Sequence, residues 1–397
     1  MVWQRGLGAL LALVFLLAVS SWRREPALPA PQGAWPVPPG AWPTQAASSS
    51  TTNAPSALPK LVSQGAGLIP MPADTPAAHA SSLLALPTTS PASVMAFWFA
   101  GSRESGPDVQ IAMSHFDRTS QAWSPARFVV QRDASWQRTD YAVRRLGNPV
   151  AWLDGSGRIH LFVVGTGLGG WAAARVVHYV QKQAVSQMDD LQFRFEGVLP
   201  LSWLWNTSHL VRAMPLPLQD GGMVLPAYFE LGTKYPVALR FDAQGVFRGM
   251  VRMSQRGYLL QPTLLMRSPT DWLALMRDNS PDKQLRLAQT QDGGQTWQDL
   301  PDAELRNPDA SVAGLALRPG FMFLAYNPLH DSRGELALST SADGLHWSQT
   351  LTLAQGQDEG RHEYSYPSMA WADNSLWVSY TDQRRAIAWQ RFSVQAP

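Results

Sequence analysis

Short apolar runs alternate with turn-forming residues along the chain from Ala77 onward. The runs are five to seven residues long and rich in aromatic and β-branched side chains, which is typical of β-strands. Examples are Val94–Ala100, Ile159–Val164, Met223–Phe229, Trp272–Met276, Phe321–Tyr326 and Leu376–Tyr380. No window keeps the 3.6-residue period of an amphipathic helix, so the pattern predicts an all-β protein.

A turn sequence that closes on an aromatic residue repeats through this region. The best copy is Thr290–Trp297 (TQDGGQTW) and the second is Ser341–Trp347 (SADGLHW). Weaker copies are Ser186–Phe193, Phe241–Phe247 and Ser114–Trp123. In such a turn Asp accepts hydrogen bonds from backbone N–H groups, and Gly supplies a positive φ. The last four closing aromatics are 54, 50 and 50 residues apart, and a repeat of this length indicates stacked supersecondary units.

Five units end on these aromatics, and a sixth unit, from about His362 to Arg391, lacks the turn. A unit of about 50 residues suits a four-stranded blade, and six such blades around an axis form a β-propeller. The sequence therefore predicts a six-bladed β-propeller over residues 76–397. Because the inner strands of a propeller end at the axis, we expect functional residues to lie beside strand ends.

The N-terminus has the composition of a targeting segment. Residues Gly6–Trp22 are uncharged and mostly apolar, with Arg5 before them and Arg23 after them. We interpret residues 1–24 as a signal peptide or an uncleaved signal anchor. The following residues, 25–75, are rich in Pro and Ala and are predicted to form a disordered linker. These features predict export, with the propeller in the periplasm or held outside the cytoplasm by a membrane anchor.

Composition excludes several classes of function. The net charge of +2 gives no electrostatic case for nucleic-acid binding. Cysteine is absent, which removes disulfides, thiolate nucleophiles and Cys-bound metals. The eight His residues show no metal-binding spacing, and no nucleotide-binding motif is present, so we expect neither a metal nor a cofactor.

Polar residues beside predicted strand ends are the candidates for chemistry. One loop holds Arg103, Glu104 and Asp108, and a pair of carboxylates near an arginine is how a carboxyl group is given a pKa suited to acid–base work. Asn148 stands at the start of a strand, where its amide could bind a sugar hydroxyl. The complete set of predicted binding residues is Arg103, Glu104, Asn148, Arg212, Gln261, Arg277, Asn327 and Arg385, with Arg384 as the alternative to Arg385.

The repeated turns resemble the Asp-box, or BNR repeat, of the sialidase superfamily, over roughly Thr75 to Phe392. Thr290–Trp297 matches the Asp-box pattern in full, and the other copies are shorter or degenerate. The Arg-Ile-Pro motif of sialidases is missing, and His79 stands roughly where its carboxylate-binding Arg would be. The chain is therefore similar to a divergent bacterial branch of Asp-box proteins.

The resemblance implies catalytic roles for five residues. Asp108 falls at the position of the acid/base Asp, and Glu230 at that of the Glu that takes a proton from a Tyr nucleophile. The run Glu363–Pro367 (EYSYP) resembles the segment that bears this Tyr, so either Tyr364 or Tyr366 is the nucleophile; strand alternation places both on one side and does not choose. His79 is the fifth candidate. Arg277 leaves its strand in the manner of a carboxylate-binding Arg.

The implied function is an exported exo-glycosidase that hydrolyses a terminal acidic sugar from a glycan. One alternative is a polysaccharide lyase, or another uronate-directed propeller enzyme, that uses His79. Another is a propeller that binds glycans without catalysis. A lyase would release an unsaturated, ultraviolet-absorbing product, and a binding protein would show no turnover.

Overall fold

The computed structural model describes residues 60–131, 143–167, 170–182, 188–202, 206–356 and 362–395. These residues form six antiparallel sheets arranged as the blades of a β-propeller, which confirms the predicted fold. The predicted signal segment and most of the predicted linker lie outside the described residues. Within the described part of the chain, no helix has the length and apolar character needed to cross a bilayer.

The strands follow the chain from blade to blade. β1 (Lys60–Leu68) is followed by blade one, with β2 (Ala77–Ala85), β3 (Ala92–Gly101), β4 (Gln110–Asp117), β5 (Ala122–Trp123) and β6 (Arg127–Val130). Blade two has β7 (Arg145–Leu153), β8 (Ile159–Thr166), β9 (Ala174–Gln181) and β10 (Phe193–Val198). Short 3-10 helices, Gly170–Ala173 and Met188–Asp190, precede β9 and β10.

The remaining blades repeat this plan. Blade three has β11 (His209–Val211), β12 (Leu216–Pro217), β13 (Met223–Phe229), β14 (Tyr235–Phe241) and β15 (Phe247–Arg252). Blade four has β16 (Leu259–Met266), β17 (Trp272–Asp278), β18 (Arg286–Thr290) and β19 (Gln298–Asp299). Blade five has β20 (Ala313–Arg318), β21 (Phe321–Tyr326), β22 (Glu335–Ser341) and β23 (Ser348–Gln355), and blade six has β24 (Tyr364–Ala372), β25 (Ser375–Asp382) and β26 (Ala386–Gln395).

The first strand completes the last blade. β1 pairs antiparallel with β26, from Lys60 opposite Gln395 to Leu68 opposite Ala388. The predicted boundary between linker and propeller at residue 75 is therefore too late, because residues 60–68 belong to a blade. Most side chains of this edge strand are exposed, so its sequence lacks the apolar alternation that marks the other strands.

The core is divided among the interfaces between neighbouring blades. Each of six buried apolar clusters joins two adjacent blades, for example Phe97 of blade one with Leu161 of blade two. Because every blade packs through both of its faces, the apolar runs of the second strands are almost fully buried. This packing fixes the blades around one axis.

The Asp-box turns join the third and fourth strands of their blades. In the best copy, Asp292 Oδ1 accepts hydrogen bonds from the backbone N–H of Gln295 and Thr296, both at 2.9 Å. The Trp297 indole N–H donates to the carbonyl of Gly294 at 3.2 Å, as the Trp347 indole does to Gly344 at 3.1 Å in the next blade. The turns are thus structural, as the sequence predicts.

The directions of the strands show which residues lie at each end of the propeller axis. The innermost strands β2, β7, β16, β20 and β24 start at one end, and the second strands β3, β8, β17, β21 and β25 return to it. The Asp-box turns lie at the opposite end, where an apolar cavity of about 570 Å³ is lined by innermost-strand residues such as Leu264, Met369 and Trp371. The polar candidate residues collect at the first end.

Candidate active site at the propeller axis

Three innermost strands are kinked where they start. The pairing register breaks between His79 and Ser82, between Leu260 and Thr263, and between Ser365 and Ser368. Inside these breaks Ala80, Gln261 and Tyr366 have φ of 55°, 48° and 54°. A non-glycine residue in this left-handed region costs about 1–3 kcal/mol and collects at functional sites, where it redirects a side chain. The kinks direct polar groups of blades one, four and six toward the axis.

Tyr366 lies at the centre of this cluster and is half-buried. Its ring centroid is 4.3 Å from that of His79, and the guanidinium carbons of Arg212 and Arg333 lie 5.2 Å and 6.0 Å from it. The amide Nε2 of Gln261 lies 3.5 Å from its phenol oxygen. The phenol oxygen of Tyr366, with an amide donor beside it, is placed as a nucleophile at the axis would be.

His79 is a neutral group in this site. It is buried, and neither ring nitrogen has a hydrogen-bond partner among the described residues. Burial, together with the positive charge of Arg384, lowers the pKa of His79 to about 3. At neutral pH the imidazole therefore cannot replace the charge of an Arg. It contacts the rings of Phe99 and Tyr366 and lies 4.0 Å from Glu104.

The arginines around the axis are held by carboxylates. Arg277 donates from Nε to Asp309 at 2.6 Å and from Nη1 to Gln261 at 3.0 Å. Arg333 contacts Glu363 at 3.3 Å. Arg384 is paired with Glu363 at 2.6 Å and with Glu104.

Glu363 joins two of these arginines through one carboxylate. Burial raises its pKa, but hydrogen bonds from Arg384 and Ser365 outweigh burial, and the pKa of Glu363 falls to about 2. It is therefore ionised at neutral pH. The pairs with Glu363 fix the positions of Arg333 and Arg384.

Glu230 follows β13 and lies in the same electrostatic environment. Burial raises its pKa above the ordinary value, against the opposing charges of Lys234 and Arg277. A raised pKa suits a group that accepts and returns a proton. The structure shows no hydrogen bond between Glu230 and Tyr366; Gln261 contacts the phenol of Tyr366 and, at 3.3 Å, the buried phenol of Tyr228.

The structure distinguishes the two candidate tyrosines. The register break after Ser365 directs Tyr366 to the axis, whereas Tyr364 stays in the regular part of β24 and packs against His362 and Tyr380. The prediction that both side chains lie on one side of the strand is wrong, because alternation stops at the bulge. The role of nucleophile stays a prediction, and the geometry favours Tyr366 for it. In the same way, Arg384 forms the site's ion pairs, and Arg385 lies exposed in the adjoining turn.

Two predicted binding residues are inaccessible. Arg212 is 2% exposed and donates to the carbonyls of Ser81 at 3.1 Å, Pro367 at 2.9 Å and Tyr366. It holds the kinks of blades one and six instead of a substrate. Asn327 is fully buried, and its amide donates to the carbonyls of Glu335 at 2.6 Å and Tyr364 at 2.8 Å, which ties blade five to blade six.

Asp108 is engaged within its own loop. Its carboxylate accepts hydrogen bonds from the backbone N–H and hydroxyl of Ser102 at 2.7 and 2.8 Å. Burial raises its pKa, but the bonds from Ser102 and the charge of Arg103 together outweigh burial and hold the pKa below the ordinary value. A general acid needs the opposite shift. Two other residues of this loop lie closer to the axis. Glu104 contacts His79 and Arg384, and Arg103 lines the recess beside His79.

Of the remaining predictions, Gln261 and Arg277 lie in the cluster, and Asn148 is buried at a fourth register break, in β7. Sequence reasoning missed Asp309, Tyr228, Glu363 and a site role for Arg333. Glu363 stands directly before the Tyr-Ser-Tyr-Pro run, which is a usable signal. Tyr228 sits in an apolar run that reads as core, and Arg333 lies beyond a strand end in a loop, so neither carries a local signal.

The site is suited to nucleophilic and acid–base chemistry. It brings together a phenol, three guanidinium groups, and carboxyl groups with raised and lowered pKa values. Within the residues that the structure describes, no group of three or more His, Asp or Glu side chains could hold a metal ion.

Comparisons with known proteins agree with this architecture. Residues 92–378 match the family model of the BNR repeat-like domain. The fold is similar to that of Trypanosoma rangeli sialidase, with a TM-score of 0.64 and 11% identity over 84% of this chain and 59% of that chain. The chain thus spans less than two thirds of that enzyme. The comparison with curated proteins gives no match.

Two further solved structures are similar. A protein of unknown function from Dyadobacter fermentans has a TM-score of 0.63 and 12% identity, over 84% of this chain and 99% of that one. A mutant of the sialidase NanB from Streptococcus pneumoniae has a TM-score of 0.57 and 11% identity, over 83% of this chain and 70% of that one. The matched model spans most of the propeller, and the chain therefore belongs to the BNR repeat-like domain family, with the propeller fold of sialidases.

Proposed function

We propose that this protein is a glycoside hydrolase of the sialidase type, which releases a terminal acidic sugar from a glycan. The observation that carries the proposal is the placement of Tyr366, a half-buried phenol that a strained kink directs into a ring of arginines. One solved complex of T. rangeli sialidase contains sialic acid, and another, with 2,3-difluorosialic acid, is described as a covalent intermediate. The covalent intermediate supports the proposal that Tyr366 acts here as a nucleophile.

In the proposed reaction the phenol oxygen of Tyr366 attacks the anomeric carbon. A bond forms between them while the glycosidic C–O bond breaks, and a carboxylic acid gives its proton to the leaving oxygen. Water then attacks the same carbon, returns a proton to that carboxylate and releases the phenol of Tyr366. Glu230, whose pKa is raised by burial, is the base proposed to take the phenol proton in the first step and to return it in the second. Gln261 donates hydrogen bonds to the phenols of Tyr366 and Tyr228 and so helps to position them.

We assign the acid to Glu104 in preference to Asp108. Both belong to one loop, but Glu104 contacts His79 and Arg384 at the axis, whereas Asp108 accepts hydrogen bonds from Ser102 in the loop itself. A sugar that occupies the site would displace the contact between Glu104 and Arg384.

The arginines support an acidic sugar. Arg277, Arg333 and Arg384 come from three blades and meet beside Tyr366, and guanidinium groups bind carboxylates through paired hydrogen bonds. Arg277 and Arg333 each retain donors that no carboxylate occupies, since Asp309 and Glu363 contact single nitrogens of them.

Covalent trapping tests the proposal. The protein is incubated with 2,3-difluorosialic acid, digested and examined by mass spectrometry. We expect one glycosyl adduct on Tyr366, its loss in Tyr366→Phe, and its persistence in Tyr364→Phe, a matched change two residues away. An adduct on another residue would refute the nucleophile, and a protein that binds sialosides without any adduct or turnover would be a lectin. Ultraviolet-absorbing products from a uronate polymer would indicate a lyase.

We also propose that the protein is exported, on the strength of the apolar segment Gly6–Trp22 between arginines. A C-terminal fusion to alkaline phosphatase, which is active only outside the cytoplasm, should be active. Replacing Leu10, Leu11 and Leu13 with Arg should abolish that activity. Equal activity of both fusions would refute export through this segment.

A further inference from the structure

A second polar cavity lies between blades two and three, at the end of the propeller opposite Tyr366. Its volume is about 250 Å³. Blade two contributes His160 and His178, and the turn between β14 and β15 of blade three closes it from the other side. Gly245 of that turn has φ of 78°, and a β-carbon there would lie 2.1 Å from the His160 ring. The turn is therefore packed directly against the histidine.

A hydrogen-bonded chain of three side chains leads to this cavity. Asp154 Oδ2 lies 3.1 Å from His160 Nε2, and His160 Nδ1 lies 2.9 Å from His178 Nε2. Asp154 is 4% exposed and is also bonded to the Ser156 hydroxyl at 2.6 Å and to Arg158 at 2.9 Å. These bonds lower its pKa to about 2 although burial opposes them, so it is ionised at neutral pH and only accepts hydrogen bonds.

The ionised carboxylate fixes the tautomers of both histidines. His160 must donate from Nε2, so its Nδ1, in the neutral ring, is an acceptor. His178 must then donate from Nε2 to His160, which leaves Nδ1 of His178 as an acceptor. Burial holds the pKa of both histidines below the ordinary value, so the neutral forms apply.

The last acceptor of the chain has no partner. His178 is 5% exposed and stacks on Phe162 at 4.5 Å between ring centroids, yet its Nδ1 has no hydrogen bond among the described residues. His178 lines the cavity, so this acceptor is available to a hydroxyl group that enters it. The cavity is large enough for a small ligand.

We propose that this cavity is a second binding site, for a neutral pyranose unit of a glycan. Its wall combines the acceptor of His178 with the amide of Gln244 and the apolar side chains of Phe247 and Val246. A pyranose has hydroxyl donors for the first two groups and a C–H face for the last two.

The charges of the wall favour a neutral ligand. Arg158 is paired with Asp154 at 2.9 Å, and Arg194 with Glu196 at 3.0 Å. Each guanidinium charge is thus neutralised by a neighbouring carboxylate, which weakens the attraction of the wall for an anion. The site is independent of the reaction proposed for Tyr366, which lies at the other end of the axis.

Nuclear magnetic resonance of the full chain with ¹⁵N-labelled histidine tests the proposal. The long-range nitrogen–proton spectrum should show His160 and His178 protonated at Nε2 alone. Titration with methyl β-D-galactopyranoside should shift Nδ1 of His178 saturably, while exposed His346 of blade five stays unchanged. A proton on Nδ1 of His178, or equal shifts at both residues, would overturn the proposal.

Matched variants test whether sugar binding depends on the hydrogen-bonded chain or only on the shape of the cavity. Asp154→Asn replaces a group that can only accept hydrogen bonds, with little change in side-chain volume. It should lower the affinity for the sugar about tenfold, as expected for the loss of one hydrogen bond. Asp343→Asn is the control, because Asp343 also holds a turn and a histidine, His346, but far from the cavity. If Asp154→Asn does not fold, His178→Phe, which keeps the stack on Phe162, should abolish binding. Unchanged affinity in the folded variant would contradict the assignment.

Discussion

Two carboxyl groups of one loop have different surroundings, and this decides their expected roles. Glu104 contacts Arg384 at the axis, and Asp108 accepts two hydrogen bonds from Ser102. We expect Glu104→Gln to lower kcat by about 10²-fold or more on a glycoside with a poor leaving group, since a general acid contributes this much. An aryl glycoside, which needs little protonation, should be hydrolysed almost normally.

Asp108→Asn is the comparison in the same loop. It should lower kcat on both substrates only slightly and by similar factors, because Asn keeps part of the contact with Ser102. If Asp108→Asn instead shows the selective loss with the poor leaving group, the sequence-based assignment of Asp108 as acid/base is correct and that of Glu104 is wrong.

Arg212 is a buried cation without a carboxylate partner among the described residues. Its bonds to the carbonyls of Ser81, Tyr366 and Pro367 fix the position of Tyr366. Arg212→Met leaves these buried acceptors unpaired and should lower the free energy of unfolding by about 3 kcal/mol. The same substitution at exposed Arg385 should change it by less than about 0.5 kcal/mol. Urea denaturation measures both.

An experiment on the folded variant can show whether Arg212 positions Tyr366 for reaction or only stabilises the fold. Under conditions in which Arg212→Met is folded, trapping of Tyr366 by the fluorinated sugar should be slower than in wild type, and Arg212→Lys should restore part of the rate. Normal trapping in the folded variant would limit Arg212 to stability.

At the scale of secondary-structure elements, local sequence patterns predict the regular strands and turns but not the kinks in the innermost strands. The Asp-box turns are local in sequence, so their period gives the number of blades. The kinks at Gln261 and Tyr366 depend on contacts between blades, such as Arg212 with Tyr366, and no local pattern shows them. For that reason the regions of Arg277 and Tyr366 are predictable, but the choice between Tyr364 and Tyr366 is not.

We expect that both packing and backbone conformation prevent a larger residue from replacing Gly294, the second glycine of the best Asp-box turn. Gly294 has φ of 90°, and a β-carbon there would lie 2.8 Å from the ring of Trp272, which is fully buried. Gly294→Ala should therefore cost about 1–2 kcal/mol for its backbone and about 1–3 kcal/mol more for overpacking. Gly320, with φ of 77° and open space around its β-position, is the control. Equal losses for Gly294→Ala and Gly320→Ala in thermal unfolding would exclude a packing contribution.

At the scale of the whole molecule, buried neutral histidines make stability depend on pH. Burial lowers the pKa of His79 and His178 to about 3 and that of His209 to about 4, against 6.5 for an exposed group. Between pH 4 and 6.5 these groups bind protons only in the unfolded chain, so the free energy of unfolding falls as pH falls. Three such groups give a slope of up to about 4 kcal/mol per pH unit, which the raised pKa of Glu230 partly opposes.

Urea denaturation at pH 5, 5.5 and 6 measures this slope. His209→Phe, which removes one buried histidine, should reduce it by about 1.4 kcal/mol per pH unit. A slope of zero in wild type would show that the buried histidines titrate normally.

The N-terminal strand β1 closes the propeller, although its residues are predicted from the sequence to belong to the linker. β1 adds the outer strand of blade six, and the Trp389 ring packs against Gly65 and Gly67 of β1. Since the chain has no cysteine, noncovalent contacts alone hold the first described strand to the last. A chain that begins at residue 76 exposes the edge of β26, whereas one that begins at Lys60 keeps it paired. If about four ladder hydrogen bonds contribute about 1 kcal/mol each, the shorter chain should be less stable by roughly 4 kcal/mol. Equilibrium unfolding of the two chains in urea measures the difference, and equal stability would mean that closure does not depend on β1.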